Sequence, residues 1–167
     1  GYRFTRVEGV ELPFPDGHFD VVVSNHVIEH VGDATAQAVH LDELRRVMQP
    51  GGVCYLAVPN RWMLIEPHYR LAFLSWWPEG WRSGWLRLWR RGDHYDCLPL
   101  SRGRLEKMLA RADLRFEQLH GEALRVLVEI EQPESRILRF FLRGVPRRLY
   151  SALGTMFPTL IYRVRRD

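Results

Sequence analysis

The chain has 167 residues, of which 46% are hydrophobic and 26% charged, and it carries a formal net charge of +4. That length is enough for one domain with a real core. No apolar run approaches a bilayer span, no signal-peptide pattern opens the chain, and the two cysteines, Cys54 and Cys97, have no zinc-site spacing to the histidines. Both thiols are therefore expected to be plain, in a cytoplasmic protein with no metal.

In chain order, Arg3 to Val7 alternates weakly and reads as a short strand. Leu12-Pro13-Phe14-Pro15-Asp16-Gly17 is a turn. Phe19 to Val23 is a β-branched apolar run, as a strand buried on both faces requires. Asp33 is an N-cap for a helix through about Met48, with Ala38, Leu41, Leu44, Val47 and Met48 on its apolar face. Pro50-Gly51-Gly52 stops it, and Val53 to Val58 is a second buried strand. Residues 19–58 thus form one βαβ unit with a parallel pair of strands.

The segment 61–100 holds all six tryptophans: Trp62, Trp76, Trp77, Trp81, Trp85 and Trp89. Trp81, Trp85 and Trp89 are four apart and share one helix face with Leu88, near Arg82, Arg87, Arg90 and Arg91. A basic helix of this kind suits a bilayer interface, whereas an aromatic stripe packed as core is the plainer alternative. Ile137, Phe140 and Phe141 with Arg136, Arg139 and Arg143 repeat the pattern. Beyond it, Ser101 caps a helix through about Ala112, with Leu105, Met108 and Leu109 inward. Leu114 to Leu119 is a strand, residues 134–153 are mostly helical with a break near Gly144-Val145-Pro146, and Pro158 to Arg165 is a final strand. Charge divides along the same line: residues 1–60 carry 4 basic and 8 acidic groups, and residues 61–167 carry 20 and 12. An Arg-rich back half suits anionic partners, or is simply a solvated surface.

Three segments in this order, Val7–Asp20 with its Leu-Pro-Phe-Pro-Asp-Gly turn, Val21–Val31 with Ser24-Asn25-His26 and Glu29-His30, and Leu44–Gly52, make the chain resemble the class I S-adenosylmethionine (SAM)-dependent methyltransferases, in the branch acting on small molecules and quinone-type lipids. The resemblance implies an α/β, Rossmann-like sheet of strand order 3-2-1-4-5-7-6 with strand 7 antiparallel. Residues 3–7, 19–24, 53–58, 114–119 and 158–165 would be strands 3 to 7. Strands 1 and 2, the Gly-rich turn and the acidic residue that binds the ribose have no counterpart. No G-x-G occurs in the chain. The fold is therefore expected to be incomplete: a single partial domain over 1–167, a Trp-rich lid or substrate insertion at about 61–100, and roughly 60–100 residues missing before Gly1. Such a chain should bind SAM weakly or not at all.

The resemblance also implies roles. Glu8 matches an acidic residue that accepts from the adenine amino group, with Gly9 and Val10 beside the ring. Ser24, Asn25 and His26 end a strand on the crevice side and would line the methionine part of SAM. His26, His30 and His68 are candidates for a general base, which is needed only when the acceptor is unactivated. Asn60, Arg61, Glu66, His68 and Tyr69 would border the acceptor, expected to be a small molecule, lipid or glycan. The Ser-Asn-His-Val sequence after Val23 departs from the pattern of enzymes that methylate nucleic-acid amino groups, which argues against a nucleic-acid acceptor. The competing reading is a non-catalytic half-domain that binds a partner or rests on the inner face of a membrane.

Overall fold

The computed structural model describes residue 1 and residues 3–130, 134–136 and 157–167. The expected helical stretch 134–153 and the Ile137/Phe140/Phe141 cluster lie almost wholly outside these residues. Strands β1 (Phe19–Asn25) and β2 (Met48–Pro59) are joined by helix α1 (Ala34–Val47) and pair in parallel. Asp33 caps α1 as expected: its Oδ1 accepts the N–H groups of Thr35 and Ala36, both at 2.9 Å. The buried face is Gln37, His40, Leu41, Leu44 and Val47. Ala38, assigned to that face from sequence, is exposed instead, because the 3.6-residue period running through 37, 41 and 44 turns position 38 outward.

Beyond β2 come a two-stranded ribbon of β3 (Ile65–Glu66) and β4 (Leu71–Ala72), helix α2 (Glu79–Leu88), helix α3 (Arg102–Arg111), β5 (Arg115–Gln118), helix α4 (His120–Ile130) and β6 (Thr159–Arg165). The main sheet has the order β1-β2-β6-β5, with β6 antiparallel to both neighbours. This is the 4-5-7-6 half of the expected sheet, reversed strand included. Residues 3–7 form no strand. A strand needs a partner for its N–H and C=O groups, and in the expected order strand 3 pairs with strand 2, which the chain does not contain. Helix α4 was not anticipated.

One face of the sheet holds the core. Leu56, Val58, Leu160 and Tyr162 are fully buried there, against Leu41 of α1 and Leu105 and Leu109 of α3. On the other face Val21 and Val23 are each 66% exposed. The Pro50-Gly51-Gly52 turn lies inside β2 rather than before it. The register moves from Phe19↔Met48 to Val21↔Val53, so β2 bulges. A side chain on Gly52 would place its Cβ 2.8 Å from the Gln49 carbonyl oxygen, so the bulge requires glycine there. Leu71, Leu74, Leu86, Tyr95 and Cys97 form a second, smaller cluster under α2.

Two polar knots pin surface segments to this frame. The Arg46 guanidinium donates to the carbonyls of Leu12 (2.9 Å) and Phe14 (2.8 Å), to Asp16 Oδ1 (2.8 Å) and to Glu43, whose Oε2 accepts the Leu12 N–H at 2.7 Å. This accounts for the rigid Leu12–Gly17 turn. At the far edge, Glu106 Oε1 accepts from Arg102 Nε (2.9 Å), the buried Tyr162 hydroxyl (2.9 Å) and Gln118 Nε2. Burial alone would raise the Glu106 pKa, but these three donors together hold it below the ordinary carboxylate value. A depressed folded pKa gives stability that is present above the unfolded value of about 4.3 and is lost as pH falls through the folded one. Thermal melts should therefore show an acid limb below about pH 4.3 that is shallower in Glu106→Gln. An identical limb in the variant would remove Glu106 as its source.

Candidate functional site

The C-terminal ends of β1 and β2 open on the same edge, where parallel α/β sheets bind ligands. Ser24 is buried there, with its Oγ 3.3 Å from Nε2 of the buried His40. Burial lowers the His40 pKa, so this contact is between neutral groups. The chain then turns at His26, which takes a left-handed conformation (φ 54°) and donates its N–H to the Ala57 carbonyl at 2.9 Å. A non-glycine residue in that region is strained. The turn drives Ile28 into the core and Glu29 beneath the edge.

Glu29 is the central group of the site. It is 1% exposed, and neither carboxylate oxygen has a hydrogen-bond partner. Its Oε1 lies 3.4 Å from His26 Nδ1 and 3.9 Å from His30 Nε2. Burial pushes its pKa up, partly offset by its own nearby backbone N–H and by His26, His30 and His68. Backbone contacts fix its place. The Leu98 N–H donates to the Glu29 carbonyl at 2.8 Å. The buried Gln37 donates its amide to the carbonyls of Ile28 (3.2 Å) and Leu98 (2.8 Å).

That clamp sets Cys97 against His30, with Sγ 3.8 Å from Nδ1 and 3.9 Å from Nε2. Cys97, expected in a polar loop, is buried: its segment packs under α2 in the smaller cluster. Burial pushes its thiol up to about 12, helped by the negative charge of Asp96. The His68 ring, carried by the loop between β3 and β4, lies edge-on to His30 at 6.2 Å. Asp96 Oδ1 faces both Cys97 Sγ (3.5 Å) and the Tyr69 hydroxyl (3.3 Å).

The structure thus gathers His26, His30 and His68 around one carboxylate. Glu66 and Tyr69 flank the group; Glu66 is buried and accepts the Tyr69 N–H at 2.7 Å. Asn60 serves as a brace, its side-chain amide donating to the Phe157 carbonyl (2.8 Å) and accepting the Trp62 N–H (3.0 Å). The Arg61 guanidinium lies over the Trp62 ring at 5.4 Å. Glu8 is exposed and faces Arg6 at 3.6 Å, Gly9 has φ 80°, Val10 is half-buried and Asn25 is exposed. Sequence reasoning passed over Glu29, Gln37 and Cys97. The Glu29-His30 pair was visible, but Cys97 lies 67 residues from His30 and no spacing connects them.

The tryptophan stripe is divided between surface and core: Trp85 is half-buried and packs against the smaller cluster, while its neighbours face outward. Trp81, Leu88 and Trp89 are 66%, 71% and 56% exposed. Trp77, Trp81, Gly84, Trp85 and Leu88 line an apolar groove of about 390 Å³, with Trp77 stacked on Trp81. Arg82 does not join this surface. It is buried, donates to the carbonyls of Trp77 (2.9 Å) and Ser75 (3.2 Å), and lies over the Tyr95 ring. Among the described residues no helix is long and apolar enough to cross a membrane.

A half-wound α/β sheet with strand order 4-5-7-6, a reversed strand 7 and polar groups at the parallel strands' C-terminal edge defines a class I methyltransferase fold. The sequence comparisons agree. The family model for a methyltransferase domain matches residues 2–56. A probable SAM-dependent methyltransferase of Mycolicibacterium smegmatis is 51% identical over 51 residues, which are 30% of this chain and 19% of that protein. One from Mycobacterium tuberculosis is 42% identical over 64 residues, covering 35% of this chain and 22% of that protein. Among solved structures, a SAM-dependent methyltransferase from Thermotoga maritima superposes with a TM-score of 0.50 at 14% identity, covering 94% of this chain and 60% of that one. A methyltransferase in complex with the Haloferax volcanii Trm112 activator gives 0.50 at 19%, covering 95% and 58%. The chain therefore carries part of the class I SAM-dependent methyltransferase fold, with the family's sequence over its first third, and the matched stretches span about a fifth of the length of these curated relatives.

The clamp at Gln37 is open to test. Gln37→Ala leaves two buried carbonyls without their donor and should cost about 1–3 kcal/mol in denaturant unfolding. It should also speed modification of Cys97 by a thiol reagent. Unchanged stability and reactivity would show that Leu98 and Ile28 are held by other contacts.

Proposed function

We propose that this chain is the C-terminal part of a SAM-dependent methyltransferase whose acceptor is a small molecule, lipid or glycan. The observation that carries the reading is the family sequence over residues 2–56 joined to the 4-5-7-6 sheet, with a polar cluster at its parallel edge. The residues present fit one side of the cofactor. An exposed carboxylate (Glu8) followed by a glycine at φ 80° suits an adenine edge, and Asn25 and His26 end a parallel strand at the crevice. They do not enclose it, and the chain alone is expected to bind SAM weakly. When bound, the cofactor supplies a methyl group on a positively charged sulfur. The chain's own task is to orient the acceptor and exclude water. Where the acceptor is a hydroxyl, His26, His30 or His68 takes its proton, and the 61–100 segment covers the site.

In the complete protein, radiolabelled SAM should pass its methyl to an extractable acceptor. Glu8→Ala should weaken SAM binding about 10-fold, the worth of one hydrogen bond to a charged group, with the fold intact. Unchanged affinity would take Glu8 out of the site, and absence of both binding and transfer would favour the non-catalytic alternative.

The exposed face of α2 favours a lipid-side reading of the same protein: we propose that Trp81, Leu88 and Trp89 rest on an anionic membrane surface, with Arg87, Arg90 and Arg91 at headgroup level. Aromatic rings and arginines at one face suit that boundary, and scattered exposure does not produce a contiguous aromatic groove. Flotation with anionic vesicles at low salt should carry the chain upward, and the triple variant Trp81→Ser, Leu88→Ser, Trp89→Ser should stay behind. Equal flotation of the two proteins, or none for either, would overturn the contact.

A further inference from the structure

We propose that His30, His68 and Cys97 form a binding site for one zinc-class divalent cation, with the Glu29 carboxylate beside it. The ligand atoms of His30, His68 and Cys97 all lie within 4.8 Å of one another. Four-coordinate zinc, with bonds near 2.0–2.3 Å, sets its ligands about 3.3–3.8 Å apart. The Cys97 sulfur lies 3.9 Å from His30 Nε2, one ligand spacing near that value. His68 is exposed on a short loop and needs to move by only about an ångström to complete that spacing.

An independent observation points to a cation. The Glu29 side chain is fully buried, has no hydrogen-bond donor on either oxygen, and sits 3.9 Å from the His30 nitrogen that also faces Cys97. A carboxylate buried there with only His26 (3.4 Å) and His30 (3.9 Å) beside it is costly. A divalent ion next to it offsets that cost. Two neutral imidazoles and one thiolate leave a dication at +1, which the adjacent Glu29 carboxylate balances.

The donor set of two nitrogens and one sulfur selects zinc over calcium or magnesium, which prefer oxygen alone. Binding converts the Cys97 thiol to a thiolate, Cys–SH + M²⁺ → Cys–S–M⁺ + H⁺, and the proton leaves past Asp96, whose Oδ1 already faces the sulfur. The ion takes three protein ligands and keeps its fourth tetrahedral position open. It ties the turn after β1, the loop between β3 and β4, and the segment before Leu98 into one unit. His30 and His68 are then ligands, which leaves His26 as the free imidazole at the crevice. The inference does not depend on the cofactor reading, because it is tested on this chain without SAM.

The test uses the whole chain stripped of metal with a chelator and titrated with Co²⁺. The expected result is saturation at one equivalent, with a thiolate-to-cobalt charge-transfer band and intense tetrahedral d–d bands, both displaced by Zn²⁺. Cys97→Ser should abolish the charge-transfer band, and Cys54→Ser should leave it unchanged. His68→Ala, at an exposed position that does not threaten folding, should weaken Zn²⁺ binding by at least the about 10- to 100-fold that loss of an outer partner costs. Glu29→Gln should weaken it too. No band at stoichiometric Co²⁺, a band that survives Cys97→Ser, or Zn²⁺ affinity unchanged in His68→Ala would each overturn the site.

Discussion

The parallel pairing of β1 with β2 is the constraint on which the rest depends. Parallel strands cannot be joined by a hairpin, so α1 must cross over, and both strands then end on the same edge. Much of the candidate site hangs from that edge: Ser24 to His30 at the end of β1, and Asn60 to Tyr69 after β2. The antiparallel insertion of β6 completes the frame by burying Leu56 and Val58 between two partners. With both strand ends held, the Leu98–Glu29 and Gln37–Leu98 hydrogen bonds can bring a distant segment onto the edge at little further conformational cost.

That order of construction separates what was legible in the sequence from what was not. The βαβ unit was legible because each part has a local signal: a β-branched run, an aspartate cap and a helical period; the Pro-Gly-Gly read as the helix stop lies instead within β2. The strand order 4-5-7-6 and the reversed strand came from resemblance, since no local signal states which strands pair. The strand at residues 3–7 failed because a weak alternation was read without asking for a partner. Ala38 failed because hydrophobicity was used where phase decides; Gln37 and His40 take the buried positions, polar residues kept inside by specific hydrogen bonds.

The site was legible in part for the same reason. His26, His30 and His68 stand out as titratable residues near strand ends. Glu29 is the residue that organises them, and its importance is a matter of burial, which a charged letter in a sequence conceals. Cys97 shows the limit more sharply. Sequence spacing finds metal sites when the ligands share one turn or one helix. Here they come from three separate segments, and the connection runs through a backbone hydrogen bond to Glu29 that no residue type announces.

The two exposed apolar surfaces differ in kind, and the difference follows from their elements. Val21 and Val23 stand on a pleated face beside an unpaired strand edge, aliphatic and flat. Such a face is normally covered in sheets of this type. The α2 surface is built instead from indole rings, which join a large apolar area to a polar N–H, with arginines at its end. Arg82, on the same helix, is turned inward and donates to the Trp77 and Ser75 carbonyls. Its burial sets the roll of the helix: with Arg82 and Leu86 facing in, Trp81 and Leu88 turn outward, while Trp89 sits at the C-cap, past the last turn. The exposed aromatic face is thus a consequence of an inner hydrogen-bond network, and it persists as long as that network does.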